Sequence, residues 1–240
     1  MLPAGRLSPH LRGHFLLFDR KSVPPIDSAA FTRLLLIYLF LEVVIGPRFW
    51  ILTWLHLPLP PSWVRVPFLV ALALVAVRYL ARLKLSQIGL YRWREWTTTE
   101  RSYFLQTVCL GNVVFITIFA HRLALITVDQ SLWGRAFLVV LTQFAWGFYQ
   151  ELVYRGILQT ALVGRLGPVA GILIANTLFT FGPLHFYHFA GRTPLPMFIG
   201  IFAIGLFFSV LFRRSGNLWI VGALHGIGDA YIDGLRLIVR

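Results

Sequence analysis

Seven apolar stretches, separated by short basic or Pro- and Gly-containing breaks, run through this 240-residue chain. They lie at 31–45, 64–80, 102–120, 131–163, 168–184, 195–212 and 218–239. A helix that crosses a bilayer needs about 20 mostly apolar residues, with a range of roughly 17–25. Hydrocarbon offers no partner to backbone amides, so such stretches must satisfy their own hydrogen bonds and fold as helices. Apolar residues make up 58% of the chain and charged residues 13%. A soluble domain of that make-up would lack the polar side chains to cover its exterior. The expected fold is therefore all-α: a polytopic membrane bundle of about seven helices, with no soluble domain and no internal repeat.

Cys109 is the only cysteine, so no intrachain disulfide can form. The net charge of +13 is spread through the segments between the apolar stretches. A nucleic-acid binder would gather it on one face, so a nucleic-acid partner is not expected. The pattern fits a protein oriented by the positive-inside rule. Taken on alternate sides, Lys and Arg number 15 on the N-terminal side and 7 on the other, which places the N-terminus in the cytoplasm. Three regions are expected: a cytoplasmic basic segment at 1–30, N-terminal membrane helices with a basic loop at 31–130, and a core at 131–240. The first holds His10, Arg12, His14, Arg20 and Lys21. Its longest apolar run, 15–18, is too short for a signal-peptide core, so no cleaved signal is expected. The loop at 78–101, with Trp93 and Trp96 among its arginines, is expected to lie against lipid headgroups. Thr97-x-x-Glu100 reads as a capping box opening the third helix. Gly46-Pro47 should stop the first.

Charged side chains inside a membrane are costly, and they mark function by default. Glu42, Glu151 and Asp229 lie deepest, with Asp233 one turn beyond Asp229. Glu151 and Arg155 are four residues apart, on one helical face. His225 and Asp229 have the same spacing, with Gly226 and Gly228 thinning the helix between them for close approach. A carboxylate that orients an imidazole serves both general acid–base catalysis and metal ligation. His185 shares a face with Phe181 if the helix continues through Pro183, and His188 is expected at the interface. Glu42 is expected to be structural, paired with another helix.

Three segments carry a resemblance: Gln150-Glu151-Leu152-Val153-Tyr154-Arg155, then Phe181-Gly182-Pro183-Leu184-His185, then His225-Gly226-Ile227-Gly228-Asp229. In order and spacing they resemble the signatures of the CPBP intramembrane proteases, the CAAX-protease and bacteriocin-processing family: Glu-Glu-x-x-x-Arg, Phe-x-x-x-His and His-x-x-x-Asn or Asp. The resemblance covers about 131–233. It implies a catalytic cavity within the bundle and cleavage of peptide bonds in membrane-associated proteins or peptide precursors. Its partners would be membrane lipids and a membrane-anchored substrate, and its location a bacterial inner (cell) membrane. Carried across, His185 acts on water, His225 with Asp229 stabilises the oxyanion, and Arg155 holds Glu151, with Gln150 and Phe181 in support.

The chain departs from the family at Gln150, where the first Glu belongs. A carboxamide orients water but cannot accept its proton. Glu151 paired with His185 is the expected base, without a cofactor. Three alternatives stay open. Glu151, His185 and His225 are residue types that also suit zinc. The chain could instead be an inactive relative that binds segments without cutting them. A proton-coupled transporter also uses buried Glu, Asp and His, though usually with repeated halves.

Overall fold

The computed structural model describes residues 26–45, 55–185 and 195–238. The basic N-terminal segment, the Gly46-Pro47 break and His188 lie outside these residues. Eight helices, and no strand, are formed among the described residues. They are α1 (Ser28–Ile45), α2 (Ser62–Leu80), α3 (Thr98–Ile118), α4 (Ala120–Val128), α5 (Gln130–Leu166), α6 (Pro168–Phe181), α7 (Leu195–Ser215) and α8. Helix α8 starts as Leu218–Asp229 and continues through Ala230–Gly234 and Leu235–Ile238. Five of them, α1, α2, α3, α5 and α7, are long and apolar enough to cross a membrane. The protein is an integral membrane helical bundle. Large apolar side chains such as Leu110, Phe137 and Val169 are exposed on its outside, where lipid is an acceptable neighbour.

The helix starts follow from the local sequence. Asp27 caps α1, accepting from the Ala30 amide at 2.6 Å. The Thr97–Glu100 capping box forms in both directions, at 3.1 and 2.8 Å. Asn217 caps α8 through the Trp219 amide at 3.1 Å and donates its own amide to Glu100 at 3.5 Å. One pair of polar side chains thus ties the start of α3 to the start of α8.

Helix α5 is the axis of the molecule. Its stretch Leu152–Gln159 forms wide π turns, and all eight residues there are buried. Its closest neighbour is α8, and two glycines set the spacing. A Cβ on Gly147 would meet the Gly226 Cα and N at 2.8 Å, so the two backbones touch with no side chain between them.

Two expectations change at this level. The basic loop does not simply lie on headgroups, because Ile88 is fully buried within the core cluster. Gly89, at φ 87°, turns the chain so that its carbonyl accepts from Leu218 N at 2.9 Å, and Trp219 Nε1 donates to Tyr91 O at 3.2 Å. The loop is thereby stitched to the start of α8. Trp93 stays half exposed with Arg101 over its ring, which keeps only this outer part in reach of a lipid surface. The second change is at 168–184, where the helix stops at Phe181. Pro183 cannot extend the ladder, and the Gly182 amide closes the last turn on Leu178 O at 2.8 Å. With 14 residues at 1.5 Å each, α6 is about 21 Å long, short of the ~30 Å hydrocarbon core.

Candidate active site

That early stop has a chemical result. Non-helical backbone at membrane depth is tolerated only where protein surrounds it or where it lines a cavity. The turn after α6 lines one: Leu184 and His185 form part of the wall of a cavity of about 490 Å³ between α5, α6, α7 and α8. Gln150, His185, His225, Asp229 and Asp233 make its polar side, and Trp146, Phe179, Ile201 and Phe208 belong to its apolar side.

Helix α5 contributes to the site in two directions. Glu151 and Arg155, one turn apart, form a buried pair with Oε1 and Nη1 3.1 Å apart. Gln150 is rotated about 100° from Glu151 and donates its Nε2 to Asp229 Oδ2 at 3.0 Å. From α8, His225 donates Nδ1–H to Glu151 Oε1 at 2.6 Å, while its Nε2 is 3.5 Å from Asp229 Oδ1. His225 is thus held between two carboxylates, one behind it and one on the cavity wall. His185 is fixed by a bond from Nδ1 to Phe179 O at 2.6 Å. A carbonyl only accepts, so Nδ1 carries the proton and Nε2 is the basic nitrogen of the neutral ring.

Phe179 is the hub of these groups. The Arg155 guanidinium sits 4.2 Å from its ring centre, and His185 and His225 meet it edge-on, with centroids 4.9 and 6.2 Å away. Phe208 of α7 stacks on His225 at 5.1 Å. Arg155 also donates Nη2 to the Gly205 carbonyl at 2.8 Å, which anchors α7 to the same group.

Of the residues singled out from the sequence, Gln150, His185, His225 and Asp229 meet on one wall. Glu151, expected to act directly on water, is fully buried beneath His225 and is not on that wall. Its Oε1 is occupied by the imidazole and the guanidinium. Phe181 is half exposed and stacks on Phe198, and it is not among the residues that line the cavity. The aromatic at the site is Phe179, which the sequence reading missed. Continuing the helix through Pro183 put the face in the wrong phase, and the early stop moves His185 back over Phe179.

Glu151 Oε1 and His225 Nδ1, as they are placed, do not have the spacing of two zinc ligands. Tetrahedral zinc with bonds of ~2.0–2.1 Å keeps its ligand atoms roughly 3.3 Å apart. Glu151 Oε1 and His225 Nδ1 are 2.6 Å apart, and the Arg155 cation occupies the same oxygen.

Residues 131–231 match the family model described as Rce1-like, type II CAAX prenyl endopeptidase Rce1-like. The matched segment contains every residue of the polar wall except Asp233. The match supports the resemblance to the CPBP proteases that the three signatures carry. No curated protein and no solved structure matches the chain. Within the CPBP pattern, the carboxamide at 150 and the carboxylate at 229 face each other across the cavity wall.

Proposed function

We propose that the protein hydrolyses a peptide bond of a membrane-associated protein or peptide precursor inside this cavity. The observation that carries the reading is the meeting of Gln150, His185, His225 and Asp229 on one wall, backed by the Glu151–Arg155 pair. A carrier would string such groups along a path, whereas these converge on one reaction volume.

The roles follow from donors and acceptors. Water in the cavity attacks the scissile carbonyl carbon and its proton passes to His185 Nε2. The carbonyl π electrons move to oxygen. Two donors can meet that oxyanion: the Nε2–H of His225 as imidazolium, its charge balanced by Glu151 and Asp229, and the second N–H of the Gln150 amide. An ionised carboxylate only accepts, so Asp229 serves by aiming both donors. Collapse of the tetrahedral intermediate breaks the C–N bond, and His185 returns the proton to the leaving amine. Glu151 acts through His225 as a positioning residue: it fixes Nδ1 as a donor and so turns Nε2 toward the cavity. Removing one such oxyanion donor typically costs about 10²–10³ in kcat.

The test uses the full chain in liposomes with two sets of anchored peptides, prenylated CAAX peptides and precursors with an apolar tail. Products are read by mass spectrometry. Cleavage by wild type and its loss in His185→Ala support the reading. A wild type that cuts neither set, or a His185→Ala variant that still cuts, overturns it. The N-terminus is proposed to be cytoplasmic and the host membrane a bacterial inner membrane, from the charge distribution and the family.

A further inference from the structure

Glu42 takes no part in the chemistry above, yet it is the single acid of α1 and has no exposed surface. No cation reaches it among the described residues. Its surroundings are three phenols. Tyr154 of α5 donates its hydroxyl to Glu42 Oε2 at 2.9 Å. The hydroxyls of Tyr149 and Tyr38 also lie close to the carboxyl. Both are buried, Tyr38 also lies beside the Tyr154 hydroxyl, and neither phenol completes a hydrogen bond among the described residues. Tyr149 and Tyr154 flank the site residues Gln150, Glu151 and Arg155 in sequence, and the π turns begin between them at Leu152. Residues five apart on a regular α-helix point about 140° away from each other. The wider π turns let both tyrosines face α1 while Glu151 faces α8 and Arg155 faces α6 and α7. The Tyr154 ring then meets Tyr38 edge-on at 5.6 Å and Phe179 edge-on at 5.2 Å. Phe179 is the ring on which His185, His225 and Arg155 rest.

We infer that Glu42 is a positioning residue: its carboxyl on α1 holds Tyr154, and through Tyr154 the π turns of α5 and the Phe179 hub of the site. It acts by accepting a hydrogen bond and not through its charge. A side chain that keeps the acceptor therefore keeps the function. π turns inside helices are often found at functional sites, and here the polar contact that holds one in place comes from a different helix.

The inference rests on the peptidase reading for its kinetic arm only. The full chain in liposomes is compared as wild type, Glu42→Leu, Glu42→Gln and Tyr154→Phe. Glu42→Leu and Tyr154→Phe should lower kcat by about tenfold with KM unchanged, the size expected for one lost hydrogen bond. Amide hydrogen exchange over 150–160 should rise in the same two variants by about tenfold, with helices α2 and α7 unaffected. Glu42→Gln should restore both readouts. Three results would overturn the inference: unchanged exchange in 150–160, a rise spread evenly over all helices, or a Gln variant no better than Leu. If wild type cleaves no peptide, the peptidase reading fails and the exchange arm still decides the role of Glu42.

Discussion

Gln150 and Asp229 illustrate how much one hydrogen bond constrains at the scale of the residue. Their contact at 3.0 Å requires one carboxylate and one carboxamide. Two carboxylates there would repel, since groups sharing a site cannot both ionise freely. Gln150→Glu should therefore lower kcat by about tenfold or more. The double variant Gln150→Glu with Asp229→Asn, which exchanges the two groups, should recover most of the loss. Steady-state kinetics on a cleaved peptide measures both, and a double variant worse than the single one would contradict the pairing. The Glu151–Arg155 pair obeys a different rule. Breaking a buried ion pair by removing one partner typically costs about 3–5 kcal/mol. Arg155 also donates to Gly205, so Arg155→Leu should unfold at a clearly lower temperature. Glu151→Gln keeps a hydrogen-bond acceptor for His225 but leaves the buried Arg155 cation unpaired, so it should lower both the melting temperature and kcat. Thermal melts in detergent, run beside the kinetics, separate the two effects.

At the scale of the element, the site depends on how closely α5 and α8 approach, because each carries half of the polar wall. Gly147 and Gly226 bring the backbones into contact, and no rotamer can relieve a Cβ that meets backbone. Gly147→Ala should cost about 1–3 kcal/mol, the usual range for overpacking, and should also separate Glu151 from His225 and lower activity. Gly134→Ala, on the same helix with open space around the new methyl, should be neutral or slightly stabilising, because Ala is the better helix former. Equal melting temperatures for the two variants would remove the close-contact argument. The α3 start was readable from sequence through Thr97 and Glu100, since caps are local chemistry; the Asn217 cap of α8 came only with the structure. The π turns of α5 were not readable, because their stability comes from partners on α1, α6 and α7 that are distant in sequence.

At the scale of the whole molecule, the fold gathers the basic segments. Gly89 and Tyr91 bond to Leu218 and Trp219, so the 78–101 loop and the Arg213-Arg214 turn share one end of the bundle. At the other end, Arg135 donates to the Leu237 carbonyl and Trp133 donates to Ile126 O. The positive-inside rule then predicts that a reporter inserted in the 78–101 loop reads cytoplasmic. One fused after Arg240 should read extracytoplasmic. The same side for both would mean that α6 with its turn, or α8, does not complete a crossing.

The sequence by itself determined the solvent, the fold class and the short list of reactive residues. Each of these rests on local quantities: the length of an apolar stretch, the cost of a charge in hydrocarbon, and a spacing of four on one helix. Glu151 with Arg155, and His225 with Asp229, were pairs of that kind. Tertiary structure alone decided that the Gln150 carboxamide faces the cavity and the Glu151 carboxylate does not, since these neighbours differ only by about 100° of helix rotation. It also decided that Phe179 rather than Phe181 supports the histidines, because the end of α6 is fixed by packing around a Pro-containing turn. The link from Glu42 to Tyr154 spans 112 residues. No spacing rule reaches that far, and only the docking of α1 against α5 makes the contact.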